Sequence, residues 1–386
     1  MNHTTFLTGL VLLGTALAGW CQPAKNNQIN SKTTRAKNII LLIGDGMGIA
    51  QIQAGLTANG GKLNLLQFPV TGFSLTEASD QYITDSGAGA TALSIGRKTY
   101  NGAIGVDASG TPRETILETA EKKGLATGLV ATCSITHATP ASFIAHQAKR
   151  SLEEAIALDF LKTDVDVFIG GGLRYFTQRQ DGRNLLEELR AKGYQVLPDT
   201  AANLTQYKKG KLAALVAGLH PKKMTEGRGD YLVKATQTAL QIVKQQPKGF
   251  FVMIEGSQID WGGHANNTQY VTSEMIDFDE AIGEALRFAQ ADKNTLVIVT
   301  ADHETGGMTL LAGNTAVGTI EAKFTTGGHT GVMVPVFAYG PGAEAFNGIY
   351  PNTAIYEKMM QALGLPLPVG NRTFLEKPTN QSAPAK

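Results

Sequence analysis

The chain has 386 residues, of which 42% are apolar and 17% charged, so it can bury a large core and is not a disordered protein. The formal net charge of +1 provides no basic surface that would favour a nucleic acid or an anionic membrane as a partner. The two cysteines, Cys21 and Cys133, are too few for a disulfide framework or a cysteine-based zinc finger. Cys133 ends an apolar run, and we expect it to be a small core residue.

The N-terminal 21 residues have the features of an export signal. An apolar run over residues 6–18 is too short to span a bilayer, and its end, Ala16-Leu17-Ala18, suits signal cleavage. Lipid anchoring at Cys21 is the lesser alternative, because Trp20 stands where a lipoprotein signal has a small residue. We therefore expect a periplasmic or extracellular protein. A polar linker is predicted over residues 22–36, and a loose tail over residues 366–386.

Six apolar runs predict buried strands. They lie at residues 38–43, 128–133, 165–169, 249–254, 295–300 and 334–339. Helical patterns lie between them, at residues 115–123, 152–162, 184–192, 231–245 and 272–291. This alternation predicts an α/β fold, a three-layer sandwich whose mostly parallel central sheet has helices on both faces. We assign residues 37–365 to one domain, with residues 174–229 as a peripheral excursion within it.

Oxygen and imidazole donors follow the predicted strands. Ligands of open α/β sheets bind beyond the carboxyl ends of the strands, so these donors are candidates for one shared site. In chain order they are Asp45, then His137 and Thr139, then Glu255, Asp260 and His264, then Asp302 and His303, and finally His329 just before the last strand. Of the six histidines beyond His3, only His146 and His220 fall outside this set.

This donor set predicts bound metal ions. Imidazole and carboxylate ligands suit Zn²⁺, whereas a set with Asp, Glu and Thr oxygens suits Mg²⁺. Asp260 and His264 are four residues apart, so one face of a helical turn can present both to one ion. The donors are too many for a single tetrahedral ion, which implies two or three metals. Glu255 and Asp302 could instead be strand-end caps or ion-pair partners, but few lysines are near them in the sequence and buried unpaired carboxylates are unfavourable.

A serine beside an acidic residue opens a run of small residues at positions 84–93. Taken alone, Asp85 and Ser86 are most simply helix N-caps. The N-terminus of a helix also suits an oxygen that holds negative charge. Two metals about 4 Å apart can clamp the attacking and leaving oxygens of a phosphoryl displacement. Beside such a pair, Ser86 would be a nucleophile that needs no Ser-His-Asp triad.

Seven motifs, in one order, resemble the alkaline phosphatase family over about residues 38–363. Each motif alone is weak, but all seven in the family's order are specific. They are Asp45-Gly46-Met47-Gly48, Thr84-Asp85-Ser86-Gly87-Ala88, Lys98-Thr99-Tyr100-Asn101-Gly102, His137-Ala138-Thr139-Pro140-Ala141, Glu255-Gly256-Ser257-Gln258-Ile259-Asp260, Thr300-Ala301-Asp302-His303-Glu304 and Gly328-His329-Thr330.

The resemblance implies an alkaline-phosphatase-like fold and the hydrolysis of phosphate monoesters through a phosphoserine on Ser86. Arg150 would clamp the phosphate, and Asp85 would orient Arg150. Without the resemblance, Arg150 beside Lys149 is more simply a solvated charge. The implied cofactors are two Zn²⁺ and one Mg²⁺. The first zinc would be held by Asp260, His264 and His329, the second by Asp45, Asp302 and His303, and the magnesium by Asp45, Thr139 and Glu255.

Two positions depart from the pattern of some bacterial members. His137 stands where they have Asp, and Trp261 where they have Lys, and we expect both side chains to line the substrate site. His137 makes the third metal site less anionic, so its occupation by Mg²⁺ rather than Zn²⁺ is open. Trp261 cannot give bound phosphate the positive charge that a lysine supplies.

Other functions stay open at this stage. A phosphodiesterase of the same superfamily would share the fold, although Ser86 and Arg150 favour monoesters. A catalytically idle metal- or phosphate-binding protein would not need a nucleophile beside a complete ligand set. The family is commonly dimeric, which makes a homodimer one expectation for this chain.

Overall fold

The structure, a computed structural model, describes residue 1 and residues 35–368. The expected export signal with its lipoprotein alternative, residues 22–34 of the expected linker and the tail from residue 369 lie outside the described residues. Among the residues that are described, no helix is long and apolar enough to cross a membrane.

The described part of the chain alternates between strands and helices. Its strands are β1 (Asn38–Gly44), β2 (Val70–Leu75), β3 (Ala126–Ser134), β4 (Val167–Gly171), β5 (Gln195–Pro198), β6 (Leu212–Leu215), β7 (Phe250–Gly256), β8 (Thr295–Thr300), β9 (Glu304–Thr305), β10 (Met308–Asn314), β11 (Thr319–Phe324), β12 (His329–Thr330), β13 (Val334–Tyr339) and β14 (Gly348–Pro351). Its α-helices are α1 (Ile49–Ala58), α2 (Ser86–Ile95), α3 (Ile116–Lys122), α4 (Ala138–Ala141), α5 (Glu153–Asp159), α6 (Leu173–Thr177), α7 (Leu185–Ala191), α8 (Tyr231–Val243), α9 (Gln258–His264), α10 (Thr268–Asp292) and α11 (Thr353–Leu363).

Ten strands form one central sheet in the order β14-β2-β13-β8-β1-β7-β3-β4-β6-β5. Its neighbours are parallel, except that β13 is antiparallel to both β2 and β8. All six strands predicted from the apolar runs are present. The excursion over residues 174–229 contributes β5 and β6, which form one edge of the sheet. Two small antiparallel pairs, β10 with β11 and β9 with β12, lie outside the central sheet.

Each face of the sheet has its own apolar core. Ile39 and Leu41 of β1 pack into one cluster, which includes residues of α2, α3, α5 and α11. Ile40 and Leu42 pack into the other, with residues of α1, α8 and α10. Because successive side chains of a strand point to opposite faces, an unbroken apolar strand can serve two cores at once. The three-layer α/β arrangement expected from the sequence is therefore confirmed.

Three adjacent strands at the centre of the sheet, β8, β1 and β7, end at nearly the same level, and β3 beside them continues three residues past Ala131. In the pairing register, Ile43 of β1 lies opposite Thr300 of β8 and Glu255 of β7, and Glu255 lies opposite Ala131 of β3. The segments that follow these strands therefore begin side by side. This alignment brings donors that are far apart in the sequence to one edge of the sheet.

A buried ionic cluster fixes the loop before α8 to the long helix α10. The Arg228 side chain is only 2% exposed and contacts Glu274 and Asp277, with 2.7 Å between Arg228 Nη2 and Asp277 Oδ2. Glu274 also accepts a hydrogen bond of 2.8 Å from the backbone N–H of Met224. One guanidinium thus compensates two carboxylates away from water.

Removing this guanidinium should destabilise the protein strongly. Arg228→Met is expected to lower the free energy of unfolding by about 3–5 kcal/mol, because both buried carboxylates lose their cation. Urea denaturation measures the change. The matched control is Arg287→Met, since Arg287 is 59% exposed and pairs with Glu284 on the same helix. An exposed pair contributes less than about 1 kcal/mol, so equal losses in the two variants would contradict the argument.

Candidate metal centre

Three groups of side chains that could bind metal ions lie at or just beyond the carboxyl ends of the central strands. Within each group, one ligand atom per residue lies within 4.8 Å of the others. Site 1 comprises Asp260, His264 and His329, site 2 comprises Asp45, Asp302 and His303, and site 3 comprises Cys133, His137 and Glu255. The structure therefore brings together each of the two zinc ligand sets that the family resemblance implied.

Site 2 surrounds the Nε2 atom of His303. This atom lies 3.4 Å from Asp45 Oδ1, 3.4 Å from Asp302 Oδ2 and 3.2 Å from Ser86 Oγ. Ligand atoms about 2.0 Å from a tetrahedral zinc lie about 3.3 Å from one another. The separations from His303 therefore suit a zinc site in which the Ser86 hydroxyl occupies the fourth corner.

Site 1 has similar spacing. His264 Nε2 lies 3.3 Å from Asp260 Oδ2 and 3.2 Å from His329 Nε2, which in turn is 3.6 Å from Asp260 Oδ1. The Nδ1–H of His264 donates to Gly327 O at 2.7 Å, and that of His329 donates to Thr84 O at 2.8 Å. A carbonyl oxygen can only accept, so each neutral ring carries its proton on Nδ1 and directs the Nε2 lone pair into the site.

Sites 2 and 3, and Thr139 two residues after His137, hold polar atoms that are buried without a hydrogen-bond partner among residues 35–368. Such atoms are rare in folded proteins, because each loses its hydration without compensation. They are both carboxylate oxygens of Asp45, Asp302 Oδ2, Glu255 Oε1, Thr139 Oγ1 and His137 Nδ1. Hard oxygen and imidazole nitrogen atoms are the ligands of Zn²⁺ and Mg²⁺, so the residues present fit divalent cations.

Without ions, the carboxylates of these sites repel one another. Burial, reinforced by the charge of Asp302, raises the pKa of Glu255 to about 7. Burial and the charge of Asp260 raise the pKa of Asp302 to about 6. The pKa of Asp45 is raised well above its usual value by burial and by repulsion from Asp302, Asp260 and Glu255. Divalent cations would remove this penalty and favour the ionised forms.

The pKa values of the site histidines differ according to how deeply each ring is buried. Burial lowers the pKa of His303 to about 4, and burial with the charge of Arg150 lowers that of His137 to about 3, so both rings are neutral near pH 7. A neutral imidazole is the form that binds metals. His264 is more exposed, and its hydrogen bond to Asp260 raises its pKa to about 9. A proton therefore competes with a metal at His264.

Asp85, not Ser86, is the N-cap of α2. Its Oδ1 accepts hydrogen bonds of 2.9 Å from the backbone N–H groups of Ala88 and Gly102. Its Oδ2 accepts one of 2.9 Å from Arg150 Nη1. Although burial opposes the shift, Arg150 and the two N–H groups hold the pKa of Asp85 below its usual value. With the capping done by Asp85, the Ser86 hydroxyl is directed to His303.

Small residues let α2 lie against the metal ligands. A Cβ atom at Gly89 would lie 3.0 Å from the backbone oxygen of Asp302, closer than packing tolerates without movement. A Cβ atom at Gly87 would lie 2.9 Å from Ala103 O. The run of small residues that the sequence shows after Ser86 thus has a packing reason. It sets the distance between the serine and site 2.

Three rings form a wall beside site 3. His220 and Trp261 meet edge to face at a centroid distance of 4.8 Å, and His137 lies 6.1 Å from His220 and 6.2 Å from Trp261. Arg150 Nη2 donates to His137 Nε2 at 3.2 Å, which connects this wall to Asp85. His220 had no role in the sequence analysis, because its position outside any motif gave no signal.

His146, the other histidine left unassigned, has a structural environment. Its ring bonds Gly105 O at 2.7 Å and Glu118 at 3.0 Å. Cys133 is buried as expected from the sequence, but it also lies in site 3, which the sequence analysis did not predict.

Glu304 and Thr305 support the ligands from the short strand β9. Thr305 donates a hydrogen bond to Asp260 Oδ1 and pairs with His329 across the β9–β12 ladder. The Glu304 carboxylate accepts hydrogen bonds from Thr330 and, at 2.6 Å, from Gln51 Nε2. Glu304 follows the site 2 ligand His303, and Thr330 follows the site 1 ligand His329. This contact therefore links the backbone segments of the two sites.

Comparison with known proteins agrees with the geometry. The sequence profile of the family described as "Alkaline phosphatase" matches residues 36–324. Alkaline phosphatase 3 of Bacillus subtilis (strain 168) is 36% identical over 85% of this chain and 89% of its own length. The alkaline phosphatase of Escherichia coli (strain K12) is 35% identical over 86% of each chain.

Solved structures agree as well. The alkaline phosphatase from the Antarctic bacterium TAB5 superposes with a TM-score of 0.83 at 46% identity, covering 87% of this chain and 100% of the other. A histidine-to-aspartate variant of TAB5 alkaline phosphatase, 45% identical and with the same TM-score and coverage, has Mg bound in its M3 site. The family profile spans well over half of the chain, and relatives of similar length are more than 30% identical, so this chain belongs to the alkaline phosphatase family.

Proposed function

We propose that this protein is an exported alkaline phosphatase that hydrolyses phosphate monoesters through a phosphoserine intermediate on Ser86. The observation that carries the proposal is the 3.2 Å separation of Ser86 Oγ from His303 Nε2, because it is the spacing expected of a hydroxyl at the fourth corner of a metal site. Family membership supports the reaction class. The expected homodimer stays a proposal from the family.

The proposed cofactors are two Zn²⁺, in sites 1 and 2, and one Mg²⁺. The nitrogen-rich ligand sets of sites 1 and 2 support zinc. The third ion would be held by Asp45, Thr139 and Glu255, whose unpartnered buried oxygens support a hard cation there. When bound, such ions neutralise phosphate charge and favour the ionised form of a serine hydroxyl.

The protein's own residues account for the remaining requirements. Arg150 presents a planar pair of N–H groups that suits two phosphate oxygens, and Asp85 holds one side of that fork. Ser86 is the first residue of α2, so the positive end of the helix dipole lies at the reacting oxygen. In the first step the Ser86 Oγ–P bond forms, the ester P–O bond breaks and the leaving alcohol takes up a proton. In the second step water hydrolyses the phosphoserine.

The two alternatives predict different behaviour. A phosphodiesterase must accommodate a second ester group where Arg150 would bind a free phosphate oxygen, so the Asp85–Arg150 pair favours monoesters. An idle binding protein would not need Ser86 directed at the ligands of site 2. The alternatives can therefore be separated by comparing monoester with diester substrates and by substituting Ser86.

Removing the serine hydroxyl should abolish turnover. Ser86→Ala is expected to lower kcat for p-nitrophenyl phosphate by at least about 10³-fold, because the attacking atom is lost. Ser94→Ala is the matched control, since Ser94 is the other serine of α2 and donates to Ser142 O. Retained hydrolysis in Ser86→Ala would overturn the proposed nucleophile. Faster turnover of bis(p-nitrophenyl) phosphate than of the monoester would favour the phosphodiesterase. If the metal-loaded protein hydrolysed neither substrate, the result would favour the idle binding protein.

Phosphate inhibition should depend on Trp261. Because Trp261 supplies no positive charge beside His137, Trp261→Lys is expected to tighten inhibition by inorganic phosphate by about tenfold, the size of one charge-assisted contact. Steady-state kinetics with added phosphate measure the inhibition constant. Trp261→Leu is the control for losing the ring, and it should not tighten inhibition. An unchanged constant in Trp261→Lys would show that the position does not affect product binding.

Metal affinity should rise with pH. Protons on Asp302, Glu255 and His264, with pKa values of about 6, 7 and 9, must leave before these side chains bind ions. Below the pKa of a ligand, each rise of one pH unit should increase the metal affinity by up to about tenfold for every proton that the metal displaces. Protein stripped of metal by a chelator should therefore bind Zn²⁺ progressively more tightly from pH 6 to pH 9. Competition with a chelator of known affinity at each pH measures this. An affinity independent of pH would contradict the proposed ligand set.

A further inference from the structure

A single hydroxyl contacts one ligand residue of site 1 and one of site 2. Thr305 Oγ1 donates to Asp260 Oδ1 of site 1, and it lies 3.2 Å from His303 Nδ1 of site 2. Thr305 and His303 are fully buried and Asp260 is 5% exposed, so these contacts have little competition from water. The three side chains form one hydrogen-bonded chain that joins the two sites.

The direction of this chain follows from what each group can donate. The ionised Asp260 carboxylate can only accept, so the single proton of the Thr305 hydroxyl is used in the bond to it. Thr305 Oγ1 must then accept from His303, whose ring therefore carries its proton on Nδ1. The Nε2 lone pair is left facing the site 2 ligands Asp45 and Asp302, each with an oxygen 3.4 Å away. This is the tautomer in which His303 can bind an ion there.

We propose that Thr305 is a positioning residue shared by the two zinc sites, whose hydroxyl fixes the tautomer of His303 and the orientation of the Asp260 carboxylate. The proposal rests on the proposed function, because it takes sites 1 and 2 as zinc sites. Hydrogen-bond partners of metal ligands typically account for about 10–100-fold in metal affinity. Because one hydroxyl serves a ligand of each site, its loss should weaken zinc binding at both.

Thr305 differs from the partners of the other two histidines in these sites. His264 and His329 donate to backbone carbonyl oxygens. A backbone carbonyl is kept by any residue at its position, whereas the bond of His303 depends on a side chain. The contribution of Thr305 can therefore be removed by substitution.

The surrounding backbone leaves the Thr305 side chain little freedom to move. Its N–H donates to Gly46 O at 3.2 Å. A Cβ atom on Gly46 would lie only 2.8 Å from Thr305 Oγ1, and one on Gly263 only 2.7 Å from Thr305 O. Gly46 follows the site 2 ligand Asp45, and Gly263 precedes the site 1 ligand His264. The hydroxyl is therefore fixed between segments that carry ligands of both sites.

Two substitutions at position 305 separate the hydroxyl from the methyl group. In the full chain stripped of metal, Thr305→Val should weaken zinc binding at each of sites 1 and 2 by about tenfold or more, while Thr305→Ser should bind zinc as the wild type does. Competition with a chelator of known affinity measures the two dissociation constants. Cadmium NMR, which gives a separate resonance for each occupied site, shows which site each constant belongs to.

Thr300→Val is the matched control. Thr300 is also fully buried, but its hydroxyl donates to Pro335 O at 3.0 Å and not to a metal ligand, so this variant should keep both zinc affinities. Far-ultraviolet circular dichroism of the metal-free proteins shows whether each variant is folded. Thr305→Ala takes the place of Thr305→Val if the added methyl group prevents folding.

The outcomes separate this proposal from the proposed function. Unchanged zinc binding in Thr305→Val, or weakening confined to one site, would overturn the shared role of Thr305 and leave the zinc sites intact. Equal weakening in Thr305→Ser and Thr305→Val would show that the packing of the side chain matters and not its hydroxyl, which also overturns the proposal. A wild-type protein that bound zinc at neither site would overturn the zinc sites of the proposed function, and this proposal with them.

Discussion

Repulsion between buried carboxylates is the main physical constraint on the sheet edge that carries the three candidate metal sites. Asp45, Glu255 and Asp302 are almost fully buried at the carboxyl ends of neighbouring strands, and their pKa values are raised by burial and by nearby carboxylates. Arg150 is the cation whose charge acts on Asp45, but it is already paired with Asp85. The remaining negative charge is what divalent ions compensate. The sheet register and the short β9–β12 pair serve to hold the carboxylates and imidazoles close despite this repulsion.

Much of the fold could be predicted because apolar strands buried on both faces leave a strong signal. β1, β3, β4, β7, β8 and β13 were all visible as apolar runs. β2 was not, because it lies near an edge and alternates between buried and exposed residues, and β14 is short and half-exposed. The antiparallel direction of β13 could not be predicted either, since direction depends on how the chain returns to the sheet.

The types of ligand residue were predictable because Asp, Glu or His residues come at or after the ends of several predicted strands. The distances between those ligands were not predictable. Ser86 and His303 are 217 residues apart, and only the sheet order and the close packing of α2 bring them within 3.2 Å. The role of Asp85 as the N-cap decides the direction of the Ser86 hydroxyl, and two adjacent capping residues cannot be distinguished from sequence. Cys133 and His220 were missed because a cysteine in an apolar run and an isolated histidine are usually structural.

The hydrogen bonds from His264 and His329 to backbone carbonyls have a consequence for the metal-free protein. Those bonds are made by the folded backbone, so the rings stay aimed at site 1 after an ion departs. Protons can stand in for the ions on the carboxylates whose pKa values are raised. An ion entering site 1 would therefore meet rings that are already oriented. Its binding would require the loss of protons but no rearrangement of the backbone.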